Sequence, residues 1–322
     1  MICETNVFKF LIDVTVLASN NYSLETRFSF EFSEQDLTVV RPKMFKKLGL
    51  CAWPVLALFG SLSLLSSPIV QSAVIFEDSF TTLDLSKTMS GAKWNGRAYV
   101  DAVDAPSIID PGVAQFYYQG STDVNEDSFS ELRFDLGGLY PEIWLQFYLY
   151  IPANYEHRDA PGPDNNKVLR LWGSDYNNVE KVGLSVWSDG GGNSQLIADW
   201  NRNGDGIGPK GDVARLIGPE DRGSWMKIRV HVVAARSSSS PGSIRVWKND
   251  DLIINNFQTV DSFFAGEAHA YRYGYLLGWS NSGFDETTRL FIDDVVFATN
   301  QSDLDSGGSI SSPPSPPEIT IE

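Results

Sequence analysis

Between residues 74 and 299 the chain repeatedly places apolar side chains at every second position in short runs, and it nowhere sustains a helical period. In residues 143–151, Ile143, Leu145, Phe147, Leu149 and Ile151 alternate with Trp144, Gln146, Tyr148 and Tyr150. In residues 226–233, Met226, Ile228, Val230 and Val232 alternate with Lys227, Arg229 and His231. Successive side chains of a strand point to opposite faces, so each run reads as a strand with one buried face. Residues 74–80, 113–119, 129–136, 167–172, 182–187, 244–247, 271–279 and 289–297 read the same way, punctuated by Gly, Asn, Asp and Pro. Many short strands without helices imply an all-β protein, an antiparallel β-sandwich, rather than a parallel α/β fold. Residues 154–166, 188–194 and 200–224 read as long polar loops, the last being the longest.

The ends of the chain read differently. Lys46 and Lys47 precede an apolar, uncharged run from Leu48 to Leu65, and small residues follow up to Ala73. Residues 44–73 therefore read as an export signal, with secretion to an extracellular or periplasmic space. The alternative is a membrane anchor, but a spanning helix wants roughly 20 consecutive apolar residues, and Pro54 and Gly60 interrupt this run. Residues 1–43 then read as a misassigned extension ahead of a true start at Met44, or as a real N-terminal extension. Both cysteines, Cys3 and Cys51, lie upstream of the cleavage point, which excludes disulfides and thiolate chemistry from residues 74–322. The formal net charge of −16 also belongs to that part, because residues 1–73 carry six acidic and six basic side chains. An acidic domain is a poor nucleic-acid partner. No membrane contact is expected once the signal is removed. Residues 300–322 are rich in Ser, Gly and Pro and read as a tail or linker.

Four segments carry a resemblance. Ser130-Glu131-Leu132-Arg133 resembles the S-E-L-R element of jelly-roll polysaccharide lyases, and Asn166–Gly173 (NKVLRLWG) resembles a strand of alginate and glucuronan lyases. Gly274–Trp279 (GYLLGW) and Phe291–Phe297 (FIDDVVF) are similar to the closing strands of that superfamily. The resemblance spans most of residues 75–298. It implies a concanavalin A-like jelly roll that binds a polysaccharide in a groove across its concave sheet. It further implies a structural calcium ion between the first and last strands, where Glu77 and Asp78 face Asp293 and Asp294. The chain lacks the Gln-Ile-His strand of one such lyase family and the Glu-x-Asp-x-x-Glu strand of related hydrolases.

β-Elimination on a uronate needs a group that neutralises the carboxylate, a base for the C5 proton and an acid for the leaving oxygen. Arg133, Gln146, Lys167 and Arg170 suit the first task. Tyr148, Tyr271, Tyr273, His269 and His157 suit proton transfer. Trp144, Tyr150 and Trp172 offer flat faces for sugar rings, although large aromatics also fill sandwich cores. The alternating charges of Glu131, Arg133 and Asp135 also fit a plain salt-bridged strand edge. A hydrolytic pair is harder to build here. Glu131 and Asp135 would lie ~13 Å apart on one strand, whereas glycosidase carboxylates lie roughly 5–9.5 Å apart.

Asp199, Asn201 and Asn203, followed by Gly204 and Asp205, match the first half of a calcium loop, but Lys210 stands where the bidentate acid belongs. A plain Asx-rich turn is the other reading. His157, His231 and His269 have no zinc-ligand spacing, and His231 is expected on an exposed face. The expected function is therefore carbohydrate-directed: a lyase on a uronate polymer or, alternatively, a non-catalytic lectin-like or adhesive module.

Overall fold

A computed structural model describes residues 7–17, 23–33, 74–104, 112–156, 158, 165–174, 176, 181–189, 193–202 and 204–304. The chain divides into two units, Met1–Val70 and Gln71–Glu322. In the first, β1 (Val7–Leu17) and β2 (Ser23–Ser33) form an antiparallel hairpin. The proposed export segment 44–73, both cysteines, His157 and Asn203 lie outside the described residues. Among the described residues no helix is long and apolar enough to cross a membrane.

The second unit is a sandwich of two antiparallel sheets. The front sheet runs in the order β14 (Ile207–Ile217), β13 (Ser194–Asn201), β12 (Val182–Ser188), β11 (Asn165–Trp172), β18 (Tyr271–Leu276), β9 (Glu131–Tyr140), β5 (Ala92–Ala98) and β4 (Thr88–Met89). The short strands β8 (Ser128–Phe129) and β19 (Trp279–Ser280) pair with each other at its rim, and β19 also pairs with β11. The back sheet runs β17 (Asp251–Val260), β16 (Gly242–Lys248), β15 (Ser224–Val233), β10 (Glu142–Ile151), β20 (Thr288–Ala298), β7 (Val113–Tyr118) and β6 (Val100–Val103), with β3 (Val74–Asp78) also on β20.

The alternation read from the sequence sorts the core correctly. Ile143, Leu145, Phe147, Leu149 and Ile151 of β10 and Met226, Ile228, Val230 and Val232 of β15 share one buried cluster with Leu132, Phe134, Leu169, Leu171 and Leu276 of the front sheet. That cluster lies between the sheets, so the alternate residues of each sheet face outward on opposite sides of the sandwich.

Two local features depart from the sequence reading. Residues 200–224, expected as a loop, contain β14. Its Gly208, Pro209, Lys210, Gly211 and Asp212 are poor strand formers, but β14 is an edge paired along its length only with β13, where Pro and charge are tolerated. It closes that side of the sandwich by hydrogen bonds to β17, Asp212 N–H to Asn256 Oδ1 and Asn255 N–H to Asp212 Oδ2, both 3.1 Å. The packed chain also continues past residue 299: Gln301–Leu304 form a helical turn whose Leu304 packs against Trp144, Val296 and Ala298.

Candidate active site

The outer face of the front sheet gathers the reactive side chains in rows set by strand register. Arg170 on β11 lies opposite Tyr275 on β18, which lies opposite Arg133 on β9, which lies opposite Gly96 on β5. On the other side, Arg170 faces Gly183 on β12, which faces Asp199 on β13. A second row holds Trp172, Tyr273, Asp135 and Lys93. Lys167 joins this face although it stands three positions from Arg170, because a bulge between Lys167 and Leu169 resets the alternation. Its ammonium donates to Asn281 Oδ1.

On this face Glu131, Asp135 and Asp199 are each tied to an arginine. Arg133 Nε donates to Glu131. Asp135 accepts two hydrogen bonds from Arg272, at 2.7 and 3.0 Å, and one from Gly137 N–H at 2.9 Å. Burial opposes ionisation of Asp135, but the hydrogen bonds from Arg272 and Gly137 and the nearby cations outweigh it and hold the carboxyl below its usual range. Asp199 pairs with Arg170 Nη1 at 2.9 Å and accepts from Ser185 Oγ at 2.5 Å, while Arg170 Nη2 donates to that same oxygen at 2.7 Å.

Two glycines make this arrangement possible. The Arg170 guanidinium crosses β12 over Gly183. A Cβ there would sit 2.6 Å from Arg170 Cδ and from the Leu169 carbonyl, and would overlap Nη1. At Gly274 a Cβ would meet the Phe134 ring and the Arg170 carbonyl, so only glycine lets Tyr273 and Tyr275 flank that core phenylalanine.

Tyr176, in the segment after β11, lies on the same face. Its hydroxyl is 2.6 Å from the Gly274 carbonyl and 3.0 Å from that of Phe134, and its ring is 5.2 Å from Tyr273 and 5.3 Å from Trp172. The Arg133 guanidinium sits 5.1 Å over that ring. Burial raises the Tyr176 pKa above the usual phenol range against the opposing charge of Arg133. The Tyr176 ring and hydroxyl brace β9 and β18. Trp172 also contacts Tyr275, at 5.5 Å between ring centroids.

The structure thus brings together Arg133, Lys167, Arg170, Trp172 and Tyr273 from the sequence-derived set, and it separates the others. Trp144, Gln146, Tyr148 and Tyr150 do face outward, but on β10 of the back sheet, on the far side of the core. They are also covered. Trp144 stacks on His231 at 4.0 Å and on Trp247 at 5.7 Å, and Tyr150 packs on Trp225 and Phe291. Gln146 Oε1 accepts from Arg229, and burial raises the pKa of Tyr148. A groove on that strand is therefore excluded as a partner for Arg133.

Tyr271 is a core residue, fully enclosed, because a register shift between Tyr271 and Tyr273 breaks the parity that linked them. His269 lies before β18 with its ring stacked 5.0 Å from Phe263. His231 is buried, not exposed. It is bonded to Glu142 at 2.7 Å and to Arg245.

Several of the side chains read as calcium ligands have protein partners. Asp199 Oδ2 pairs with Arg170 and accepts from Ser185, and Asn201 Oδ1 accepts from Gly204 N–H in an Asx-type turn. At the chain ends, Asp78 accepts from Trp94 Nε1 at 2.7 Å and Phe80 N–H at 2.9 Å. Glu77 lies opposite Val296, and Asp294 sits in a left-handed bulge of β20. Among the described residues no group of three or more His, Cys, Asp or Glu side chains could hold a metal ion.

Tyr275, Tyr176, Ser185 and Gly183 were not singled out from the sequence. Tyr275 shares parity with Tyr273 and was within reach of that signal; Tyr176 has no periodic signal at all.

A family model described as polysaccharide lyase matches residues 80–296. Among solved structures, the endo-β-1,4-glucuronan lyase from the fungus Trichoderma reesei aligns with a TM-score of 0.51 and 11% identity, over 72% of this chain and 98% of that one. The alginate lyase vAL-1 from Chlorella virus aligns with a TM-score of 0.45 and 10% identity, over 71% of this chain and 100% of that one. At 11% identity, the likeness to the glucuronan lyase speaks to the fold alone. No curated protein matches the chain.

Proposed function

The chain belongs to the polysaccharide lyase family, and from that premise we propose that it cleaves a uronate-containing polysaccharide by β-elimination on the outer face of the front sheet. The observation that carries this reading is the convergence of Arg133, Arg170, Lys167, Tyr273 and Tyr275 on one face where Glu131, Asp135 and Asp199 are all held by arginines.

In this reading the uronate carboxylate lies against Arg133, with Lys167 close along the sheet. Neutralising that carboxylate stabilises the carbanion-like charge that develops as the C5 proton leaves. Tyr275, between Arg133 and Arg170, takes the C5 proton as a phenolate. The electron pair forms the C4–C5 double bond, the C4–O bond breaks, and the departing oxygen takes a proton from Tyr273 or from the newly protonated Tyr275. No water enters the products. A hydrolase would instead need one carboxylate to act as a base or nucleophile and another as an acid. Here Glu131, Asp135 and Asp199 are each bonded to a guanidinium group, which disfavours either role.

The test is incubation with glucuronan, alginate and heparin while ultraviolet absorbance of the unsaturated uronate is followed. Rising absorbance, lost in Tyr275→Phe, supports the proposal. Binding without any rise would replace it with the lectin-like reading.

A further inference from the structure

Three aromatic rings at the rim of the front sheet play no part in the chemistry above. Tyr99 and Trp279 are 67% and 43% exposed, among the few large apolar side chains so presented. Phe129 lies between them. Its ring centroid is 4.7 Å from Trp279 and 6.4 Å from Tyr99. Isolated exposed aromatics need no explanation, but a contiguous cluster does.

The cluster is on the same face as the reactive residues. Ser128, Ser130, Leu132 and Phe134 turn inward and are buried, so Phe129, Glu131 and Arg133 turn outward together. Trp279 pairs with Phe129 across β8 and β19. Asn166 pairs with Ser280, which puts Lys167 beside Trp279 in the register. Phe129 and Arg133 are four residues apart along one extended path, ~13 Å, so the platform lies along the strand from the reactive row.

The backbone is shaped to hold these rings out. Tyr99 has φ of 52°, a costly conformation for a bulky residue. The pairing of Arg97 with Leu132 and of Ala98 with Glu131 would aim the next side chain inward with Ser130; the left-handed turn swings it outside. Its carbonyl is held by Ser130 Oγ and Tyr117 N–H, both at 3.0 Å. Trp279 follows Leu277 and Gly278, both at positive φ. The buried Tyr118 hydroxyl accepts from Gly278 N–H at 3.2 Å and lies 3.0 Å from the Gly278 carbonyl and 3.2 Å from that of Ser130. One hydroxyl thus fixes both segments that carry the platform.

We propose that Tyr99, Phe129 and Trp279 form a stacking subsite for a pyranose ring of the same glycan chain whose uronate lies against Arg133, displaced along the groove from the bond that breaks. The proposal rests on the lyase reading for its ligand. Continuity through Lys167 and Glu131 commits the platform to the glycan itself, since a chain leaving Arg133 along β9 toward β8 meets these rings next. Aromatic rings take the C–H faces of sugars without regard to charge, so the subsite supplies length-dependent affinity and leaves the chemistry to the reactive row.

The experiment compares wild type with Trp279→Ala and Tyr99→Ala, both at exposed side chains. It measures calorimetric affinity for oligoglucuronates and oligoalginates from disaccharide to octasaccharide, together with kcat and KM on polymer. The expected result is that wild type gains affinity with length and that each variant loses that gain. Each variant should bind polymer about ten-fold more weakly, equivalent to about 1.4 kcal/mol, with kcat on saturating polymer kept. Equal length dependence in wild type and both variants overturns the subsite while leaving the lyase reading intact. Failure of wild type to bind any of these glycans overturns both. Loss of kcat with KM unchanged places the rings in the chemistry and also overturns the subsite.

Discussion

Adding one methyl group at Gly183 should break the site and destabilise the fold by a predictable amount. In Gly183→Ala the new Cβ would stand 2.6 Å from the Leu169 carbonyl and from Arg170 Cδ, and would overlap Arg170 Nη1. The carbonyl belongs to the adjacent strand and cannot rotate away, so the guanidinium must leave Asp199. Both partners are buried, with side-chain exposures of 4% and 3%, so each charge would lose its counter-ion away from bulk water. Breaking such a pair costs about 3–5 kcal/mol, a large part of the roughly 5–15 kcal/mol that holds a domain together. With an m-value of about 3 kcal/mol/M, the urea midpoint should fall by about 1 M or more. Arg170→Met should show a similar loss by stranding Asp199. Adding Asp199→Leu to Arg170→Met should restore much of that stability, because two apolar side chains remove the desolvation cost along with the attraction. It should not restore cleavage, because Arg170 faces the reactive row. Equilibrium unfolding monitored by tryptophan fluorescence reads all of these. A Gly183→Ala midpoint equal to wild type, or a double variant no more stable than Arg170→Met, would refute the reasoning.

Two further outcomes follow from the back sheet. Burial, with help from the Arg245 charge and against the Glu142 hydrogen bond, lowers the His231 pKa below its ordinary value of 6.5. As pH falls through that value the unfolded chain takes up the proton first, so stability drops between the ordinary value and the folded one. His231→Gln should flatten the melting-temperature profile in that acidic window, and an unchanged slope would contradict the burial. Leu304 is buried against Trp144, so Leu304→Ala should cost about 2 kcal/mol in urea unfolding; no cost would place the end of the packed chain before the helical turn.

The alternation legible in β10, β15 and β9 gave the inward and outward faces correctly. It could not say which outward faces share a sheet. Arg133 and Gln146 are both outward, yet β9 pairs with β5 and β18 while β10 pairs with β15 and β20. Strand order is a non-local property that a period of two does not encode. Bulges account for other departures. Lys167 with Arg170 and Tyr271 with Tyr273 break simple parity where a register shift intervenes. β14 was missed because edge strands tolerate residues that elsewhere signal a loop. Asp199 has oxygen-rich neighbours in the sequence, and nothing local signals its pairing with Arg170, which reaches it across the bare backbone of Gly183.

The location of the reaction is tested most directly by the initial rate of unsaturated-uronate formation in two paired variants. Arg133→Ala with Tyr275→Phe alters the front sheet, and Gln146→Ala with Tyr148→Phe alters the back sheet. The front pair should lose cleavage by at least about a hundred-fold, in line with removal of a proton-transfer group, while the folded back pair keeps the wild-type rate. A back pair that is folded yet inactive, beside a front pair that still cleaves, would put the site on the wrong side of the sandwich.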